Sequence, residues 1–264
     1  MFVPCDGLHP PQLRDYSLIL PAVSVGNVGQ LAVDLIISTL NMVKVGYIYT
    51  DCLVPMAGSD PYAVSIGKSE LSINAEVYFL AERKLAVLQI RSPVIKNKSK
   101  AFRQMLVSWI KRSEFAQVIL LSSSHAYQRD DQQLLGTPFR YLVTPAMQNS
   151  VGEALRDLHW KEMETVAAYP GVSESEKRIW IPGGGITKSL YTDSCTEGIH
   201  LAVLLKFCSE GDNIPDAFSL VNYLNEWMPL VEHSIGDSTE TPAKLKIPNS
   251  WRLLFGSGLP PALF

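Results

Sequence analysis

The chain has 264 residues, 47% of them apolar and 19% charged, which is enough apolar material for a sizeable core in one large domain or two small ones. A net charge of −3 gives no electrostatic case for a nucleic-acid partner, which normally requires excess Lys and Arg. No apolar run approaches the roughly 20 residues of a membrane span, and the start "MFVPCDGLHPPQL" lacks the basic and apolar regions of a secretory signal.

Residues 17–23, "SLILPAV", predict a short apolar strand broken near its end by Pro21. A glycine-containing turn leads into a helix with Leu31, Leu35, Ile36 and Leu40 at helical spacing. "VKVGYIYT" follows as a β-branched and aromatic strand ending at Asp51, so the chain opens as β-α-β. A Pro- and Gly-rich loop runs from Leu53 to Lys68. "LSINAEVYFL" and "LAVLQIRS" then flank Ala81–Lys84 as a hairpin, with Leu71, Ile73, Ala75, Val77 and Phe79 expected on one face.

A helix is predicted over Ser99–Ser113, with Phe102, Leu106, Trp109 and Ile110 on one stripe. Lys96, Lys98, Lys100 and Arg103 read as its solvated start. "AQVILLS" (116–122) is a continuous apolar run suited to a strand covered on both faces. A long polar loop, a short helix around 147–159 and a polar stretch to Lys177 come next. Residues 177–181 are expected to form a last strand. Two helices should follow, one over Ile199–Ser209 stopped at Gly211 and one capped by Asp212 or Asn213 with Pro215 in its first turn. The sum is an α/β domain over 1–231, a polar linker over 232–247 and an extension over 248–264.

Three stretches invite a chemical reading. "SVGNVG" (24–29) approximates the dinucleotide fingerprint, with Ser24 in the first glycine place and Asp51 where a ribose-binding acid would stand. The preferred reading is a turn in which Gly26 and Gly29 let the helix pack closely on the sheet. "GGGITKS" (183–189) fails the P-loop pattern, because Thr187 precedes Lys188 and Pro182 takes the earlier glycine place. It reads as a turn with Thr187 as helix cap. "LLSSSHAY" (120–127) sets serines beside His125 without the G-x-S-x-G elbow, so Ser124 and His125 make no persuasive dyad. Cys5, Cys52, Cys195 and Cys208 contain no C-x-x-C pair and the five histidines show no ligand spacing, so no metal, disulfide framework or cofactor is expected and the chain suits a reducing compartment.

The C-terminus differs. "WRLLFGSGLPPALF" (251–264) combines an apolar patch, a Gly-Ser-Gly hinge and two prolines, and Leu259, Pro260, Pro261, Ala262, Leu263 and Phe264 read as an extended tail for capture in a pocket. The other reading has 251–255 folding back on the domain.

"PAVSVGNVGQLAVDLIISTLNM", "YTDCLVP", "ELSINAEVY", "VILLSSSHAYQR", "RIWIPGGGITKSLY", "LLKFCSEGDNIPDA" and "PNSWRLLFGSGLPPALF" together resemble the proteasome assembly chaperone family, in the same order over essentially the whole chain. The resemblance implies a single α/β/α layered domain like that of nucleoside phosphorylases, without their catalytic equipment. It also implies a non-enzymatic chaperone of cytoplasm and nucleus that pairs with proteasome assembly chaperone 1. The pair would promote assembly of the α-ring of the 20S core particle and discourage α-ring dimers. Tails of this family dock between α-subunits, commonly with a hydrophobic-Tyr-any ending; Ala262, Leu263 and Phe264 match it with Leu263 in place of tyrosine.

Overall fold

A computed structural model describes residues 1–5, 11–63, 70–166, 178–231 and 244–253. The elements in chain order are β1 (Phe2–Pro4), β2 (Ser17–Pro21), α1 (Val28–Leu40), β3 (Val43–Ile48), β4 (Ala57–Ser59), β5 (Leu71–Ile73), β6 (Ala75–Leu80) and β7 (Leu85–Ile90). They continue with α2 (Ser99–Ser113), β8 (Gln117–His125), α3 (Asp131–Leu134), β9 (Phe139–Val143), α4 (Pro145–Asp157), β10 (Thr165–Val166) and β11 (Arg178–Ile179). α5 (Thr187–Thr196), β12 (Leu201–Cys208), α6 (Ile214–Trp227) and a short 3-10 turn (Asn249–Leu253) complete the described chain.

Eight strands form one mixed sheet in the order β1-β3-β6-β7-β2-β8-β12-β9. β7, β2, β8 and β12 run parallel at its centre, while β6, β9 and β1 pair antiparallel with their neighbours. Ala32, Leu35 and Ile36 of α1, Met147 and Leu155 of α4, and Leu220 and Leu224 of α6 fill one face. Phe102, Leu106 and Ile110 of α2 and Leu190 of α5 fill the other. The result is the α/β/α layering that the resemblance implies. The burial of β8 and β12 on both faces explains the apolar runs over 118–121 and 201–205.

α2 and the hairpin over Ala81–Lys84 form as expected, the hairpin closing through left-handed Lys84. Of the α1 positions, Leu35 and Ile36 are buried, and Leu31 and Leu40 pack partly against the same cluster. Three expectations are corrected. Residues 199–209 do not form a helix: 201–208 are β12, inserted between β8 and β9. A continuous apolar run carries no periodicity to separate a buried strand from a buried helix. The region expected as a loop after 122 holds the end of β8, the capped turn α3 and β9. The single face expected over 71–79 breaks at Asn74, so Leu71 belongs to the separate β4–β5 ribbon and is exposed.

The free edge beside β9 is closed by 161–163, where Tyr141 N donates to Lys161 O and Met163 N donates to Tyr141 O. Residues 244–251 lie across α1. Lys246 N donates to Thr39 Oγ1 at 2.9 Å, Ser250 N donates to Pro61 O, and Trp251 is buried in the α1/α6 cluster. The fold-back reading for the start of the C-terminal segment therefore holds at Trp251. Most of the predicted linker and residues 254–264 lie outside the described residues.

Candidate functional site

The three motif stretches meet at one place, the C-terminal edge of the central parallel strands. β2 delivers Ser24 and Val25, β8 delivers Ser123 to His125, and the chain after β11 delivers Pro182 to Thr187. This is the edge at which open α/β sheets place ligand sites. Here the loops bond to one another.

Ser24 Oγ accepts the Ser123 N–H at 3.0 Å and lies 2.7 Å from Ser123 Oγ, whose own proton goes to Val25 O. Ser124 Oγ donates to Pro182 O at 2.8 Å. Thr187 Oγ1 donates to Gly184 O, which leaves Ser122 Oγ to donate to Thr187 at 2.6 Å. Backbone bonds Val25 N to Gly183 O and His125 N to Pro182 O complete the knot. Ser122, Ser123 and Ser124 have no exposed surface, so these hydroxyls tie loops together and present no nucleophile. Thr187 is the first residue of α5, with Ile186 before it, so it braces the turn instead of capping the helix.

The glycines serve the same packing. A Cβ on Gly29 would stand 2.3 Å from Leu121 O, and one on Gly185 2.3 Å from Val23 O. Gly26 faces the Asn213 side chain and Gly183 faces the His125 ring. Asp51 does not join them. It follows β3, which two strands separate from β2, placing it roughly 14 Å along the sheet at ordinary strand spacing. There its carboxylate pairs with Lys98 at 2.6 Å in solvent. A dinucleotide site needs the acid on the strand beside the glycine turn, and this topology separates them.

Two features escaped sequence reasoning. The first is a buried polar cluster between α1 and the sheet. Asp34 Oδ1 accepts from Tyr62 OH at 2.5 Å and Gln89 Nε2 at 2.7 Å and lies 3.0 Å from Arg91 Nη2. Glu76, fully buried, accepts from Ser72 Oγ and Tyr78 OH, with Lys44 and Arg91 within 4 Å. Burial, then the neighbouring carboxylates, pushes both phenols far above their usual range. The available signal was a lone acid within each apolar pattern, "LAVDLIIS" and "AEVYF".

The second is exposed apolar surface. Tyr127 is 74% exposed, its ring tilted against that of His125 at 4.9 Å between centroids, and Trp180, just before the triglycine loop, is 55% exposed. Further along the edge a cleft of about 510 Å³ is walled by Val3, Tyr49, Leu53, Pro55, Met56 and Ile73. Among the described residues no group of three or more His, Cys, Asp or Glu side chains could hold a metal ion, and no helix is long and apolar enough to cross a membrane. The six tail residues 259–264 lie outside the described residues.

The geometry therefore offers a closed loop knot and exposed aromatic surface. Residues 18–231 match the PAC2 family. The chain is 64% identical over 265 residues to proteasome assembly chaperone 2 of Xenopus tropicalis and 62% identical to that of Homo sapiens, with the full length of each protein covered in both cases. In fold it is similar to Pyrococcus furiosus PbaA, an archaeal homolog of proteasome-assembly chaperone, at a TM-score of 0.59 and 17% identity, covering 84% of this chain and 85% of that one. A family match across most of the chain, full-length relatives above 60% identity and a shared layered fold lead to one conclusion: the chain belongs to the PAC2 family.

Proposed function

We propose that the protein is a non-enzymatic chaperone of 20S proteasome assembly. It works in the cytoplasm and nucleus as a heterodimer with proteasome assembly chaperone 1, promotes α-ring formation and prevents off-pathway α-ring dimers. The observation that carries this reading is its similarity, over the full length of both chains, to proteins named proteasome assembly chaperone 2. The closed loop knot agrees with it, because the hydroxyls and glycines that suggested chemistry are committed to internal contacts.

The tail Leu259–Phe264 is the proposed α-ring anchor. Full burial of Leu263 and Phe264 would contribute roughly 3–6 kcal/mol. Ordering the tail and losing rigid-body freedom offset most of that. The tail alone would bind at about millimolar strength, and it needs a second contact to raise its effective concentration.

A native pull-down with mass spectrometry tests the reading by comparing the full chain with one ending at Gly258. The expected result is that both recover the partner chaperone and that truncation weakens recovery of α-subunits alone. Recovery of neither partner nor α-subunits by the full chain would sink the proposal.

A further inference from the structure

Residues 249 and 250 rest on a loop, and the tie that holds that loop is the Tyr62 phenol. Asn249 Nδ2 donates to Ala63 O at 2.7 Å, and Ser250 N donates to Pro61 O at 3.1 Å. Trp251 then enters the α1/α6 cluster, against which Tyr62 also packs. Residues 60–63 belong to no helix or strand. Asp60 sets their turn, its carboxylate accepting the Tyr62 N–H at 3.0 Å.

Among the described residues, the hydrogen bonds of this loop to α1 and to the end of β7 run through the Tyr62 hydroxyl. It donates to Asp34 Oδ1 at 2.5 Å and accepts from Arg91 Nη2 at 2.9 Å. Both partners are ions, so these bonds belong to the stronger, charge-assisted class. The ring meets that of Tyr78 at 88°, and the Arg91 guanidinium lies 5.6 Å from its centre. Tyr62 thus covers the Asp34–Arg91 pair as well as bonding to it. The start of the C-terminal segment is fastened elsewhere: Lys246 N donates to Thr39 Oγ1, and its Nζ donates to Asn41 Oδ1. One anchor of the segment is therefore the end of a helix, and the other is a loop whose position depends on one hydroxyl.

We propose that Tyr62 is the latch of a clasp made of residues 60–63 and 249–251, which the Asn249–Ala63 bond joins across 186 positions of sequence. Closed, the hydroxyl holds the loop as a seat and the C-terminal segment lies on it. Open, the two segments leave together and uncover the Asp34–Arg91 pair. The clasp opens as one local unit, at a lower cost than unfolding of the whole domain. It depends on contacts within the chain and stands apart from the functional reading above.

Amide hydrogen exchange of the full chain under native conditions, read residue by residue by NMR, tests this. In the natural chain the amides of Tyr62 and Ser250 should share one protection factor, below that of Leu120 in β8. Tyr62→Phe keeps the ring and removes the hydroxyl. It should speed exchange at positions 62 and 250 by the same factor, about tenfold. Asn249→Ala, made on the other segment, should speed both by a shared factor of roughly three.

Faster exchange at position 62 with Ser250 unchanged in Tyr62→Phe would show that the segments open separately, and the inference would fall. Protection at Ser250 equal to that at Leu120 would also overturn it, because the clasp would then open only with the whole fold. Should Tyr62→Phe not fold, Asn249→Ala carries the test. Equal acceleration at Tyr62 and Ser250 supports the clasp, and an effect confined to Ser250 overturns it.

Discussion

Gly29 backs onto the main-chain oxygen of Leu121, and a methyl group there would stand 2.3 Å from an atom fixed in the central sheet. Because that oxygen cannot swing aside as a side chain would, Gly29→Ala should cost about 3 kcal/mol, the upper end for overpacking. Urea denaturation should show a lower midpoint with an unchanged slope. Asp34 poses the opposite problem, a charge whose removal leaves partners behind. Asp34→Ala removes the buried acceptor shared by the Arg91 guanidinium, Tyr62 OH and Gln89 Nε2, so a loss of about 3 kcal/mol is expected in the same measurement. The exposed Asp51–Lys98 pair, though only 2.6 Å apart, should contribute little, since solvent screens both charges. At this scale the close packing expected at Gly29 was legible in the sequence, but the atom it must clear was not, because Leu121 O lies on another strand.

Among the elements, α1, α2, the β6–β7 hairpin and β8 were legible, because each carries a periodicity or a turn signal within its own residues. β12 and β9 were not. Both are wholly buried short runs, and burial on every side erases the contrast that periodicity depends on. The segment 244–251 shows the same limit, since its role arises only from lying across α1. Its anchor is Trp251, and Trp251→Ala should destabilise the fold by about 3 kcal/mol, the lower end for losing a buried large aromatic. Limited proteolysis should then cut within 244–251, where the natural chain should resist cleavage. The change should also weaken α-subunit recovery without touching the tail itself, because a looser root lowers the tail's effective concentration. Protection equal to that of the natural chain would show that the main-chain bonds to Thr39 and Pro61 hold the segment unaided.

For the whole molecule, the question is how weak parts make a useful grip. On the proposed reading, a millimolar tail joined to a second contact exceeds either one by a factor of roughly 10²–10⁴, provided both reach the same surface. Truncation after Gly258 should therefore reduce α-subunit recovery without changing folding or partner recovery. Equal recovery with and without the tail would move the grip entirely to the body. The sequence by itself determined the layered α/β class, the central apolar strand, the family resemblance and the apolar C-terminal tail, because these rest on local pattern and on residue order along the chain. Only the tertiary structure decided that the glycine and serine motifs close on one another, that Asp51 stands two strands away from them, and that 201–208 is a strand. Strand order and loop contact join residues 99 positions apart, as Ser24 and Ser123 are, and no local pattern encodes that distance.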